Sequence, residues 1–417
     1  MENKSTALPI KFTGYQKLVI ALLALTQFTV VLDFMVMSPL GDLLMKKMDI
    51  TTSQFGFVVS AYAFSAGASG ILTAGFADKF DRKKLLLFFY IGFILGTLFC
   101  SLANNYHLLV IARIITGIFG GVIGSISMAI VADLFLPQQR GRVMGFLQMG
   151  FGASQVLGIP ISLFLANRMG WQSPFFMIVG LAIIIWLLVV LKMQPITNHL
   201  ENQTDKNPLK HLWHTFTNKD YQTGFIATAL LSLGGFMMMP WGSAFSINNL
   251  HITNDDLVPL FMVAGVSTLL IMPIIGKLSD KIDKFKLFTM ASIWMIIIVL
   301  IYTNLTPIPL WLLMLVNVIM MIGIMSRMVP SMALATSLPR MEDRGAFMSI
   351  NSSLQQIAGG IAAALGGLVI YQKDKNSPLE HYDWLGVLVS VIVLINIFLV
   401  YRVNLIIKKR MANSHTL

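Results

Sequence analysis

Apolar residues in this chain come in long, nearly unbroken stretches, without the alternation of a half-buried strand or the one-sided stripe of a surface helix. The stretches lie at Leu18–Leu40, Phe55–Phe76, Leu85–Leu102, Leu108–Val131, Val143–Leu165 and Phe175–Leu191. A second set lies at Thr223–Ile247, Leu257–Ile275, Leu287–Tyr302, Leu310–Leu334, Phe347–Ile370 and Leu385–Val403. A helix needs roughly 20 apolar residues to cross about 30 Å of hydrocarbon. The pattern therefore predicts an all-α integral membrane protein with twelve transmembrane helices. The first run is too long for the apolar core of a signal peptide and reads as span one.

Polar residues punctuate these runs unevenly. The longest internal hydrophilic interval, 193–219, contains Pro195 and Pro208 and has six runs on either side. The expected organisation is a six-helix bundle over 1–192, a linker over 193–219 and a second six-helix bundle over 220–417. Leu209, Leu212, Trp213 and Phe216 recur in the linker at helical spacing, which suits a helix lying on a membrane surface or an ordinary tether. The two halves also repeat. Asp78 and Asp81 follow span two as Asp280 and Asp283 follow span eight, and Leu136-Pro137 follows span four as Leu338-Pro339 follows span ten. All of these landmarks are displaced by the same 202 positions, which points to duplication and two pseudo-symmetric bundles.

Charge sharpens the picture. Only 12% of the 417 residues are charged and mean hydropathy is +0.75, too few charges to cover a water-exposed surface. The net charge of +11 is no signature of a nucleic-acid partner, because it is sorted by loop. One side of the predicted topology carries 23 Lys and Arg, and the other carries Lys46, Lys47, Arg168, Lys373 and Lys375. The positive-inside rule then predicts both termini in the cytoplasm and a multi-pass protein of the plasma (inner) membrane. The single cysteine, Cys100, permits no internal disulfide. No phosphate-cradling glycine loop or metal-spaced Cys/His cluster is present, so neither an enzyme nor a cofactor or metal is expected. An ion gradient remains as the source of energy.

Charges inside hydrocarbon are costly and mark function. Asp33 in span one and Arg113 in span four fall at compatible depths in the outer half of the membrane, so they can meet. Burial disfavours the charged carboxylate while a guanidinium favours it, so conformation can decide whether Asp33 holds a proton. A fixed structural ion pair is the other reading. Arg327 in span ten lies towards the cytoplasmic side, where it can face a polar or anionic substrate group, reach the interface or bond to helix ends. Gln27, Gln148, Gln155, Asn317, Asn351 and Gln355 are polar positions able to line a substrate cavity or to bond between helices. Met37 joins them as an adaptable apolar contact.

The loop Ala74-Gly-Phe-Ala-Asp78-Lys-Phe-Asp81-Arg82-Lys83 is similar to the G-x-L-A-D-R-x-G-R-K signature of the major facilitator superfamily. Gly276-Lys-Leu-Ser-Asp280-Lys-Ile-Asp283-Lys284 is its second copy. Arg113-Ile-Ile-Thr-Gly117-Ile-Phe-Gly-Gly121 resembles the span-four R-x-x-x-G motif. Gly150 to Pro160, with Gly158, resembles the span-five motif of the twelve-span drug:proton antiporters, near the sugar-efflux and chloramphenicol-efflux branch. The resemblance implies proton coupling through Asp33 and Arg113, and close helix packing at Gly117, Gly121, Gly158 and Pro160. It also implies a cytoplasmic gate built from Asp78, Arg82, Asp133 and Asp280, with the signature aspartate facing a helix N-terminus and the signature arginine pairing with Asp133. The expected function is proton-coupled efflux of small amphipathic molecules by a monomer in the lipid bilayer. Uptake or facilitated diffusion of a sugar or metabolite, and a non-transporting membrane sensor, are the alternatives.

Overall fold

The computed structural model describes residues 11–73, 79–197, 200, 208–340 and 343–414. Among them, twelve helices are long and apolar enough to cross a membrane. In order they are Gly14–Met35, Thr52–Thr73, Arg82–Leu102, Tyr106–Leu134, Gln138–Met169 and Ser173–Lys192, then Lys219–Asn248, Asn254–Lys281, Lys284–Thr303, Leu310–Ser337, Arg344–Val369 and Tyr382–Arg410. They are called spans one to twelve here. "Inner" denotes the face that carries the Lys- and Arg-rich loops, and "outer" the opposite face. The described residues contain no strand beyond an isolated bridge between Tyr371 and Glu380.

Span ends follow local chemistry. Thr13 and Gln16 form a reciprocal capping box at the start of span one, as Thr253 and Asp256 do for span eight; each side chain satisfies a backbone N–H that a helix start leaves free. Asp81 caps span three and Asp283 caps span nine, so the two loop copies occupy the same helical position. The backbone N–H of Lys286 donates to Asp283 and holds its carboxyl below the usual range.

Three spans depart from simple runs. Span one stops at Met35, five residues short of its apolar stretch. Pro39 has no N–H to donate and so cannot continue the helix. The chain then turns into a short helix, Gly41–Met48, whose Gly41, Leu44 and Met45 are buried. Span seven is interrupted after Phe236 by a tight turn at Met239–Trp241 around Pro240 before Gly242–Asn248 resumes. Span five contains a π-helical turn at Ser154–Gly158, separated from Pro160 by Ile159 alone. A wider turn there accommodates the missing proline donor.

Within the first six spans, two packs on four, four on three, three on six and one on five. Within the last six, seven packs on eleven and twelve, nine on ten and twelve, and eight on ten. The two sets meet along span two against span eleven and span five against span eight. Small residues permit the first contact. A Cβ on Gly56 would lie 2.7 Å from the Ala363 carbonyl, and one on Gly367 would lie 2.9 Å from the Thr52 carbonyl. Midway along, Ser60 Oγ donates to the Gly360 carbonyl at 2.7 Å.

Candidate functional site

The centre of the first six spans is an ion pair. Asp33 and Arg113 are both fully buried, and Arg113 Nη1 donates to Asp33 Oδ2 at 2.7 Å. The other carboxylate oxygen accepts from Thr97 Oγ of span three at 3.1 Å. The guanidinium carbon of Arg113 stands 4.5 Å from the ring centre of Tyr62 in span two. Charge, hydroxyl and aromatic face thus converge from spans one, two, three and four. Two Arg113 nitrogens, Nε and Nη2, have no hydrogen-bond partner, so the guanidinium spends only part of its donor capacity on Asp33. Because span one begins at Gly14, Asp33 lies about 29 Å from its inner end, two residues before the helix stops.

An aromatic chain leads away from this centre. Phe34, the residue after Asp33, lies 5.4 Å from Tyr62 and 5.6 Å from Phe236 of span seven. Phe236 in turn fills the space beside Gly359 of span eleven. Phe34 therefore joins the neighbourhood of the buried charges to the opposite half.

The motif glycines bring the helices together. A Cβ at Gly117 would clash with Ser65 Oγ and the Tyr62 backbone of span two, and one at Gly121 would lie 2.5 Å from Ala66 Cα. Gly158 receives Leu32 of span one, whose Cδ1 would be 2.6 Å from an added Cβ, and Pro160 is buried behind it. Gly117 and Gly121 thus press span four onto the helix that carries Tyr62.

The other sequence-derived candidates separate by position. Gln27 is half-buried opposite Gly124 of span four. Gln155 is half-buried with Oε1 unpartnered, and Asn351 is buried with Oδ1 unpartnered. Gln148 and Gln355 are exposed. Asn317 Nδ2 donates to the Leu313 carbonyl of its own helix. Met37 is not within a membrane span, because the helix ends first; it is buried in the turn that follows. Arg327 neither reaches the interface nor meets a helix end. It is buried, with Nε donating to Ser292 Oγ of span nine at 3.1 Å.

On the inner face, Arg82 Nε contacts Asp133 Oδ2 at 3.0 Å, joining spans three and four. Both partners belong to one six-span set, so the pair can persist while the halves move. It is formed here with the outer end closed. Asp280 is exposed, and Asp78 lies outside the described residues.

The outer end is sealed by contacts absent from the sequence reading. Asn248 of span seven donates through Nδ2 to buried Asp42 at 2.7 Å, and Lys46 bonds to both Asp42 and Asn248 Oδ1. Ser243 Oγ donates to the Ser38 carbonyl at 2.7 Å, and Ser38 Oγ donates to the Met239 carbonyl. Thr52 Oγ donates to the Ile370 carbonyl at 2.9 Å. Lys46 and Asn248 are themselves 202 positions apart, so equivalent sites of the two halves face each other. The repeat offset was the signal that could have located them.

Comparison with known proteins agrees with this architecture. The family model described as Major Facilitator Superfamily matches residues 23–363 and 224–410. The uncharacterized MFS-type transporter YceJ of Bacillus subtilis (strain 168) is 26% identical over 261 residues, 62% of this chain and 66% of that protein. Multidrug resistance protein 3 of the same organism is 28% identical over 36% of this chain and 30% of its own length. A probable sugar efflux transporter of Helicobacter pylori (strain G27) is 26% identical over 39% of this chain and 42% of its own. These matches span less than two thirds of each relative. Among solved structures, a D-xylose-proton symporter superposes with a TM-score of 0.76 at 17% identity, covering 93% of this chain and 97% of that one.

Proposed function

We propose that this chain, which belongs to the Major Facilitator Superfamily, is a proton-coupled exporter of small amphipathic molecules that works by alternating access. The observation that carries the reading is the buried Asp33–Arg113 pair. Among the described residues, Asp33 is the one carboxylate in the interior of a span, with the other described Asp and Glu at span ends or in the connections. A proton taken up by Asp33 cancels its charge and weakens its hold on Arg113. The guanidinium, already short of partners and stacked on Tyr62, then shifts against span two. Span two lies along span eleven, and Phe34 couples the same spot to Phe236. Protonation is thereby converted into a change at the boundary between the halves. Substrate exchange follows from which end of that boundary is open. The pair Arg82–Asp133 holds spans three and four as one unit on the inner face, and Asp280 stands at the inner end of span eight in the other half. Gln27, Gln155 and Asn351 are the polar contacts offered to substrate, and the membrane is the plasma membrane with both termini cytoplasmic.

The multidrug relative favours amphipathic substrates, whereas the sugar-efflux relative favours a second reading, a sugar or metabolite carrier on the same scaffold. Reconstituted proteoliposomes decide the matter. Efflux substrates and sugars are offered in turn under an imposed pH gradient, with Asp33→Asn alongside. Gradient-driven movement of an amphipathic compound, abolished at least ten-fold in Asp33→Asn, is the expected result. Flux that ignores the pH gradient overturns the coupling, and gradient-driven movement of sugars alone establishes the second reading.

A further inference from the structure

We propose that the C-terminal six spans hold a binding site for one small negatively charged group, a halide ion or a carboxylate, centred on Arg327. The side chain is only 5% exposed. It lies about 26 Å along span ten from the outer end of that helix and about 15 Å from its inner end. Nε donates to Ser292 Oγ at 3.1 Å, Nη2 has no partner, and the guanidinium carbon stands 5.6 Å from the ring centre of Phe288.

No carboxylate pairs with Arg327 among the described residues. The sequence explains why none of its own half does so at that depth. Spans seven to twelve carry acids only in their end turns, at Asp220, Asp255, Asp256, Asp280 and Asp383. Asp33 is occupied by Arg113. Arginine cannot discard its proton, and a buried charge is tolerated when it is paired. A hydroxyl and an aromatic face provide part of that compensation but no negative charge. The two buried arginines therefore differ in kind. Arg113 is neutralised by the chain, and Arg327 is left to be neutralised from outside it.

A cavity of about 10 Å³ lies one helical turn further inward, bordered by Thr228 of span seven, Ser331 of span ten and Val400 of span twelve. Ser331 follows Arg327 by four residues and so shares its helix face. A single guanidinium matches a single charge. This site is separate from the proton-coupling reading, because anion binding can be measured without flux.

The test uses the full-length protein in phosphatidylcholine nanodiscs, unfolded thermally at constant ionic strength. Chloride or acetate replaces a bulky sulfonate buffer anion. The unfolding midpoint of the parent chain is expected to rise saturably with at least one of the two, as for any ligand bound only by the folded state. The anion that half-saturates at the lower concentration identifies the source. In Arg327→Gln the half-saturating concentration is expected to rise at least ten-fold, and in Arg327→Lys several-fold. A flat response of the parent to both anions overturns the proposal, as does an equal response in Arg327→Gln. Should the neutral variant fail to fold, Ser292→Ala decides. A several-fold weaker response supports the site, and an unchanged one overturns it.

Discussion

Asp33 and Arg113 are a case in which residue number alone carried geometric information. The direction of each span and the rise per residue put both at one depth, and the side chains do meet there. Their neighbours were not legible. Thr97 and Tyr62 sit inside apolar runs without a charge to single them out, and which face of each helix turns inward depends on packing. The pair also makes an asymmetric prediction. Removing one partner of a buried ion pair typically costs about 3–5 kcal/mol. A lone carboxylate can lose its charge by taking up a proton, whereas a lone arginine cannot. Proton uptake is easier at lower pH, so the stability deficit of Arg113→Ala is expected to shrink as pH falls. That of Asp33→Asn is expected to stay flat. Thermal unfolding of both variants against pH reads this directly, and parallel pH profiles for the two would rule out the charge-based account.

At the scale of the element, apolar runs located all twelve helices, because crossing a bilayer demands length and hydrophobicity more than any particular residue. Their ends and interruptions depended on finer chemistry. Pro39 shortens span one and moves Met37 out of it, Pro240 breaks span seven, and Pro160 is preceded by a π turn. The glycines of span four were readable as a packing motif, but not the helix they would approach. That helix is span two, and the contact is tight enough to exclude even a methyl group. Gly117→Ala is therefore expected to destabilise by about 1–3 kcal/mol, the usual cost of overpacking, and to move Arg113 relative to Tyr62. Gly145→Ala, in span five with open space around its Cα, serves as the control and is expected to be neutral or slightly stabilising. Unfolding midpoints of the two variants in one detergent provide the comparison, and equal midpoints would mean that span four can back away from span two without cost.

At the scale of the whole molecule, the 202-residue offset revealed a duplicated architecture but not which end of the boundary between the halves is closed. Closure is a balance between alternative packings of one sequence, and no run of residues encodes it. In this structure the outer end is sealed by Asp42, Lys46 and Asn248, with Ser38 and Ser243 beneath them. A hydrogen bond to a charged group contributes about 1.5–3 kcal/mol, and each 1.4 kcal/mol is a ten-fold change in an equilibrium. Loss of the Asn248 amide should therefore shift the population towards outer-open states by roughly ten-fold or more. Met37, buried in the turn below the seal, is a suitable reporter. Cys100, the single native cysteine, is also wholly buried, so a thiol placed at position 37 is read against a silent background. In Met37→Cys, a membrane-impermeant maleimide added from the outer side is expected to react slowly. Adding Asn248→Ala should accelerate that reaction by the same factor as the population shift. An unchanged rate would mean that the seal is held elsewhere, with Thr52 and the Ile370 carbonyl the next contact to remove.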